Sequence, residues 1–273
     1  MLRGFYGAAS GMLTQQRRTE MLNDNLANIN TPGYKADQAS VRTFPELLMQ
    51  AQGANNQPGR SNQIGSMATG VYMQERTQNF AQGDLQETGN ATDVALLQVT
   101  LPENEEGEAG ALFYTTSNED GEARYTRNAN FTVDGEGFLT TSDGYYILGT
   151  NGEPLDVGNE NFTVAEDGAV TDEDGAVVGQ IEVAYAENAN DLVKEGSGLL
   201  RPEGEEEELP SAVGNEDIDF SLSQGFIERS NVDANQTMTK LMNAYRVFES
   251  NQRMLQTYDQ SMERAVNEIG RLG

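Results

Sequence analysis

The 273-residue chain contains no cysteine, no tryptophan and no histidine. Without cysteine there is no thiol nucleophile and no disulfide framework. Without histidine there is no imidazole base and no zinc site of the usual Cys/His kind. Positive charge is also scarce, with 17 Lys and Arg against 44 Asp and Glu, a formal net charge of -27. A chain this acidic repels phosphate backbones, which argues against a nucleic-acid partner. No run of 18 or more apolar residues exists, so no transmembrane helix is expected. Leu, Ile, Val and Phe make up about a fifth of the chain, near the edge of compositions that stay disordered alone. A modest core is expected, with parts that order only against partners. At about 150 residues per domain, the length suggests two domains, with one large elongated domain as the alternative.

The charge is unevenly spread. Residues 1–50 carry five basic and four acidic groups, and residues 226–273 carry six of each. Nearly all the excess negative charge therefore falls in the middle. Surfaces that pack against copies of themselves avoid many like charges, whereas a solvated face tolerates them. The ends look built for association and the centre for water. A soluble protein from a salty or alkaline habitat would show the same acidity, and the two readings are compatible. The first residues, Met1 to Gly11, are too short and too broken by Gly and Ser for a cleaved signal peptide. Arg17-Arg18 lacks the hydrophobic stretch that a twin-arginine signal needs.

Residues 2–30 read as a helix. Phe5, Met12 and Leu26 recur on a seven-residue line with Thr19, flanked by Leu2, Tyr6, Ala9, Leu13, Leu22 and Ile29. Gly4, Gly7 and Gly11 weaken an isolated helix but let a neighbour come close. Asn30-Thr31-Pro32-Gly33 should end it, because Pro32 disfavours helical geometry at Thr31 and Gly33 permits positive φ. Residues 51–66 have almost nothing to bury and read as a linker or extended arm. From about 70 to 220, strand-like runs such as 131–133, 138–141, 145–148 and 162–164 alternate with Asp134-Gly135, Asp143-Gly144, Asn151-Gly152, Asp167-Gly168 and Asp174-Gly175. That rhythm suits a hairpin meander or small barrel. The acidic runs 103–110 and 203–208 read as exposed loops.

Residues 229–271 read as one long helix. Leu241, Phe248, Leu255, Met262 and Ile269 fall seven apart, a coiled-coil signal. Met238, Tyr245 and Val266 are expected on the other seam, interrupted by Gln252 and Asp259. A helix of about 40 residues would be roughly 60 Å long and needs a partner of similar length. The N-terminal helix is the candidate within the chain, and the excess is left for other subunits.

Little here suggests chemistry. The acids stand mostly beside Gly in turns or in runs, unlike the shaped pocket of a paired-acid hydrolase. Asp172-Glu173-Asp174-Gly175 has the flavour of a calcium loop, but Gly175 comes too early and Val183, followed by Ala184, stands where a Glu is needed, so a tight β-turn is expected. Asn-x-Thr sequons begin at Asn90, Asn130, Asn161 and Asn235, and the last falls within the expected helix. No cofactor is expected.

Four ordered motifs carry a resemblance. They are Leu22 to Lys35 (LNDNLANINTPGYK), Gly83 to Ala95 (GDLQETGNATDVA), Tyr125 to Phe131 running on to Asp143-Gly144-Tyr145, and Ser230-Asn231-Val232-Asp233 before the long helix. Together they closely resemble the bacterial flagellar rod and hook proteins, and the length and polar arm resemble the rod subgroup of Gram-positive-type flagella. The resemblance implies a basal-body rod subunit, exported unfolded through the flagellar type III apparatus without a cleaved signal. It implies polymerisation into a hollow axial drive shaft, with the terminal helices lining the inner tube and the β part outside. Implied partners are copies of itself, other rod and hook subunits and the export apparatus. Lack of cysteine, near-neutral ends and an acidic centre all agree.

The expected fold class is α+β. Terminal helices form a coiled-coil-like core domain from residues 1–35 and 226–273. An extended arm covers 36–75, and an inserted, mainly antiparallel all-β domain covers 76–225. The assembly residues expected are Asn25, Asn28, Asn30, Thr31, Pro32, Gly33 and Tyr34 in the turn, with Ser230, Asn231 and Val232 before the second helix. Leu241, Phe248, Leu255, Met262 and Ile269 complete the set along that helix. Asn side chains in such a turn bond nearby backbone and accept left-handed geometry. The alternatives are a hook or rod–hook junction subunit and, in another class, a secreted acidic hydrolase.

Overall fold

The computed structural model describes all residues except 1, 46, 51–62, 68, 103, 105, 106, 108, 119, 120, 205–207 and 270–273, and only the backbone of 2, 3, 47–50, 63–67, 268 and 269. The described chain is mixed helix and strand. Two long helices, α1 (Leu2–Ala27) and α2 (Ala234–Arg264), lie at its two ends, and the strands between them pair mostly antiparallel. Contacts divide it into two compact units, one of residues 1–27, 37–77 and 233–273, the other of 28–36 and 78–232.

In the first unit, α1 and α2 run antiparallel. Gly4 faces Tyr258 and Gly11 faces Asn251, so a step of seven up one helix matches seven down the other. A Cβ on Gly4 would lie 2.1 Å from the Tyr258 hydroxyl, and one on Gly11 2.8 Å from the Asn251 amide nitrogen. Two of the three weak helix formers, Gly4 and Gly11, are thus where neighbouring side chains press on the backbone. Thr237, Leu241, Ala244, Phe248, Asn251, Leu255, Tyr258, Met262 and Ala265 are buried or half-buried, while every other residue from 238 to 264 is exposed. This alternating 4/3 step is a heptad seam, but its second line differs from expectation. Met238, Tyr245 and Val266 are exposed, and Ala244, Asn251 and Tyr258 take their place. Ala244 is buried on this line, and Gly4 and Gly11 leave room on α1 for Tyr258 and Asn251. On α1, Tyr6 and Leu13 are likewise exposed.

The second helix is shorter than expected. Asp233 caps it, accepting the Gln236 N–H at 3.0 Å, and the regular helix ends at Arg264 before a π-turn over Ala265–Ile269. At 31 residues it spans about 46 Å. Phe226–Glu228 is a strand, and 229–233 are neither helix nor strand. β1 (Asp37–Thr43) pairs with the later β4 (Val71–Gln78), and between them β2 (Leu47–Gln50) pairs with β3 (Gln63–Met67). The expected arm over 51–66 therefore ends in a strand, and its residues 51–62 lie outside the described set.

The second unit is built from antiparallel ladders. Its largest sheet centres on Ala111–Ser117, which pairs with Ala123–Thr126, Tyr146–Ile147 and Val183–Ala186. That strand is buried on both faces: Leu112 and Tyr114 enter one core cluster, Ala111 and Phe113 another. The four strand-like runs named above all contain strands. Most expected turns hold, with positive φ at Gly144, Gly152, Gly168 and Gly175. Asp134-Gly135 does not form the expected two-residue turn. Positive φ falls at Gly137, because the Asp134 carboxylate accepts the Glu136 and Phe138 N–H groups and widens the loop. The acidic runs 103–110 and 203–208 lie partly outside the described residues.

Gly7 gives a test of the α1 packing. A Cβ there meets nothing within 4 Å among the described residues. Gly7→Ala is expected to stabilise the first unit by up to about 1 kcal/mol. Gly11→Ala should gain less or lose, because Asn251 must move. Thermal melts followed by circular dichroism compare the two.

Candidate functional site

In the second unit, three charged side chains far apart in sequence share one dry site. Glu228 is 0% exposed, Arg127 4% and Lys35 5%. The Lys35 ammonium lies 2.6 Å from Glu228 Oε1, and Arg127 Nε lies 2.6 Å from Glu228 Oε2. The rest of the cluster is satisfied by backbone. Lys35 also donates to the Ala81 carbonyl at 3.0 Å, and Arg127 donates to the carbonyls of Leu112 at 2.6 Å and Leu96 at 2.8 Å. Glu228 Oε1 accepts the Gly83 N–H at 2.7 Å. Burying such charges is tolerated only when each is paired and hydrogen-bonded, as here. Burial alone would raise the Glu228 pKa, but Arg127, Lys35 and the Gly83 N–H together hold it below the usual carboxylate range. Burial, aided by Arg127, brings the Lys35 pKa down to about 8 despite Glu228. The adjoining Tyr114 phenol donates to the Val94 carbonyl, and burial pushes its pKa well up.

The turn residues 28–34 are held by the same site. The Gly33 N–H donates to the Glu228 carbonyl at 2.8 Å. At φ +69°, a Cβ on Gly33 would fall 2.2 Å from the Arg127 carbonyl oxygen. Thr31 folds back on Asn28, through its N–H to the Asn28 carbonyl and its hydroxyl to the Asn28 side chain, both at 3.2 Å. Tyr34 lies under the Lys194 ammonium, 4.9 Å from the ring centre. Asn28, Asn30, Thr31, Pro32 and Tyr34 line a cleft of about 630 Å³ that reaches Phe80 and Phe113.

Asn231 gathers three segments of the unit. Its side-chain oxygen accepts the Ala36 N–H at 2.8 Å, and its amide donates to the carbonyls of Asn79 at 2.8 Å and Ala81 at 2.9 Å. Val232 is buried beside it, and the Ser230 hydroxyl accepts only a long 3.4 Å bond from the Val232 N–H. In the first unit, buried Asn25 forms a two-way clamp. It accepts the Asp37 N–H and donates to the Asp37 carbonyl, each at 2.9 Å. Arg76 then bridges the carboxylates of Asp37 and Asp24. Leu241, Phe248, Leu255 and Met262 lie half-buried on the α1–α2 seam, and the Ile269 side chain is outside the described residues.

The expected residues thus fall into separate groups: Asn28 to Tyr34 with Ser230 to Val232 in the second unit, Asn25 and the heptad line in the first. The sequence reading missed Glu228, Arg127 and Lys35 as a site, along with Asp37 and Arg76. Lys35 and Arg127 stood inside quoted motifs, and their rarity as cations in an acidic chain was the available signal. Asp172 to Gly175 forms a turn in which the Asp172 carboxylate accepts the Ala176 N–H at 2.8 Å. No group of three or more acids that could hold a metal is found among the described residues.

Three family models match the chain. "Flagella basal body rod protein" matches residues 5–35, "Flagellar hook protein FlgE/F/G D1 domain" matches 109–172, and "Flagellar basal body rod FlgEFG protein C-terminal" matches 223–268. The buried cluster draws Lys35, Arg127 and Glu228 from one matched segment each. The chain is 46% identical over 274 residues to the flagellar hook-basal body complex protein FlhO of Bacillus subtilis (strain 168), covering 100% of both chains. It is 32% identical to the flagellar basal-body rod protein FlgG of the same strain, over 98% of this chain and 99% of that one. It is 30% identical to FlgF of Caulobacter vibrioides (strain ATCC 19089 / CIP 103742 / CB 15), over 100% of both. The chain belongs to the flagellar rod and hook-basal body protein family.

Glu228→Gln should leave two buried cations without a counter-charge and cost roughly 3–5 kcal/mol. Asn231→Ala, which removes three hydrogen bonds, should cost about 1–3 kcal/mol. Urea titrations of the full chain measure both.

Proposed function

We propose that the chain is a structural subunit of the flagellar basal-body rod that polymerises through its terminal helices into a hollow axial drive shaft. The helices form a coiled-coil-like core domain, and the acidic β-rich part is an inserted domain that stays in water. The single observation that carries this reading is the α1–α2 seam. Leu241, Phe248, Leu255 and Met262 are only half-buried in one chain. Met238, Met242, Tyr245, Val247 and Met254 beside them are exposed, as are Tyr6 and Leu13 on α1. Apolar rows of this extent on near-neutral helices call for further helices of the same kind. Stiffness then comes from many modest contacts, with no catalytic centre required.

Its partners are copies of itself and other rod and hook subunits. The chain is exported unfolded by the flagellar type III apparatus without a cleaved signal and works outside the cytoplasmic membrane. A cysteine-free chain suits that passage, because no disulfide can lock it. A hook or rod–hook junction position is the second reading, supported by the relative whose name includes the hook-basal body complex.

Leu255→Asp puts a charge into the seam and is expected to abolish incorporation into basal bodies and motility. The second unit should keep its fold, read by near-ultraviolet circular dichroism of its tyrosines. Basal bodies that accept this variant at normal occupancy would refute the seam as the assembly element.

A further inference from the structure

We propose that the Lys35–Glu228–Arg127 cluster is a latch that tightens in alkali: it holds the second unit more firmly when Lys35 gives up its proton. The geometry is two cations on one carboxylate, all three at most 5% exposed. Each cation contacts a different oxygen at 2.6 Å. With Lys35 charged, the site carries one positive charge in excess, in a place where water cannot screen it. With Lys35 neutral, Arg127 and Glu228 balance. Its amine still has hydrogen atoms for Ala81 or Glu228, so no hydrogen-bond partner must be left empty.

The groups that face Lys35 make this specific. Glu228 comes from the strand Phe226–Glu228, and Arg127 follows the strand Ala123–Thr126. Arg127 and Glu228 are the charged neighbours that act on the ammonium. Tyr114 adjoins both of them, but burial keeps its phenol protonated through the relevant range. Lys35 loses its proton at about pH 8 in the folded chain and near 10.5 when unfolded. Between these values, unfolding takes up a proton, so raising the pH opposes it. Below about 8 the lysine is charged in both states and above 10.5 neutral in both, so the effect is confined to that window. A surface lysine paired with a carboxylate would act in the opposite sense. The inference concerns folding alone and stands or falls apart from the rod reading. On that reading, its consequence is a subunit that holds better in mildly alkaline surroundings.

The test compares wild type with Lys35→Arg, which keeps the cation and every other titrating group. Urea unfolding of the full chain is measured at half-unit steps from pH 7 to 10. The unfolding constant of wild type, relative to the variant, should fall by up to about tenfold per pH unit above pH 8. Parallel curves, or a relative rise, would overturn the proposal. If Lys35→Arg does not fold, the side-chain resonance of Lys35 is titrated directly in wild type. A midpoint near 8 supports the latch, and one at 10 or above overturns it.

Discussion

The buried carboxylate of Glu228 is the interaction on which the second unit depends. It stands in a two-stranded ladder near the end of the unit, yet it receives Lys35 from 193 residues earlier and Arg127 from 101 residues earlier. Its own backbone carbonyl holds Gly33. Without it, two desolvated cations would face each other with no counter-charge. A buried ionic site of this kind adds little net stability over an apolar one. What it does here is tie the segments 28–36, 81–83, 126–128 and 226–229 together through paired charges and backbone hydrogen bonds.

The asparagines add to these ties. Asn231 binds backbone of Ala36, Asn79 and Ala81, and Asn25 binds both backbone groups of Asp37. Each amide has one donor side and one acceptor side, and both are used. Residues 28–36 follow α1 in the chain, and 231–233 precede α2. The bonds that fix these short stretches within their units therefore fix where the chain leaves one unit for the other.

Much of this is legible in the sequence. Short-range signals did well at most Asp-Gly and Asn-Gly turns, Asp134-Gly135 excepted, and along α2 from Leu241 to Met262, while α1 ends at Ala27, a turn before the expected breaker at Asn30-Thr31-Pro32-Gly33. Each depends on a few neighbouring residues. The failures came where a distant partner decides. Nothing local says that Asn251 and Tyr258 face α1 while the more apolar Met238 and Val266 do not; the glycines at 4 and 11, over two hundred residues away, decide it. The start of α2 was placed too early because Ser230 to Val232 has no helix breaker, and Asn231 is instead held by Asn79 and Ala81. Glu228 was invisible as a site, since one glutamate among 44 acidic residues carries no local mark.

On the proposed function, the exposed apolar row of α2 is covered by other subunits in the working structure. The absence of cysteine makes a direct measurement simple. A single cysteine placed at Met242, which is 58% exposed in the isolated chain, reports access to a thiol reagent. Rapid labelling is expected in the dilute monomer, and strong protection in purified basal bodies that contain the protein. Equal labelling rates in the two states would contradict it.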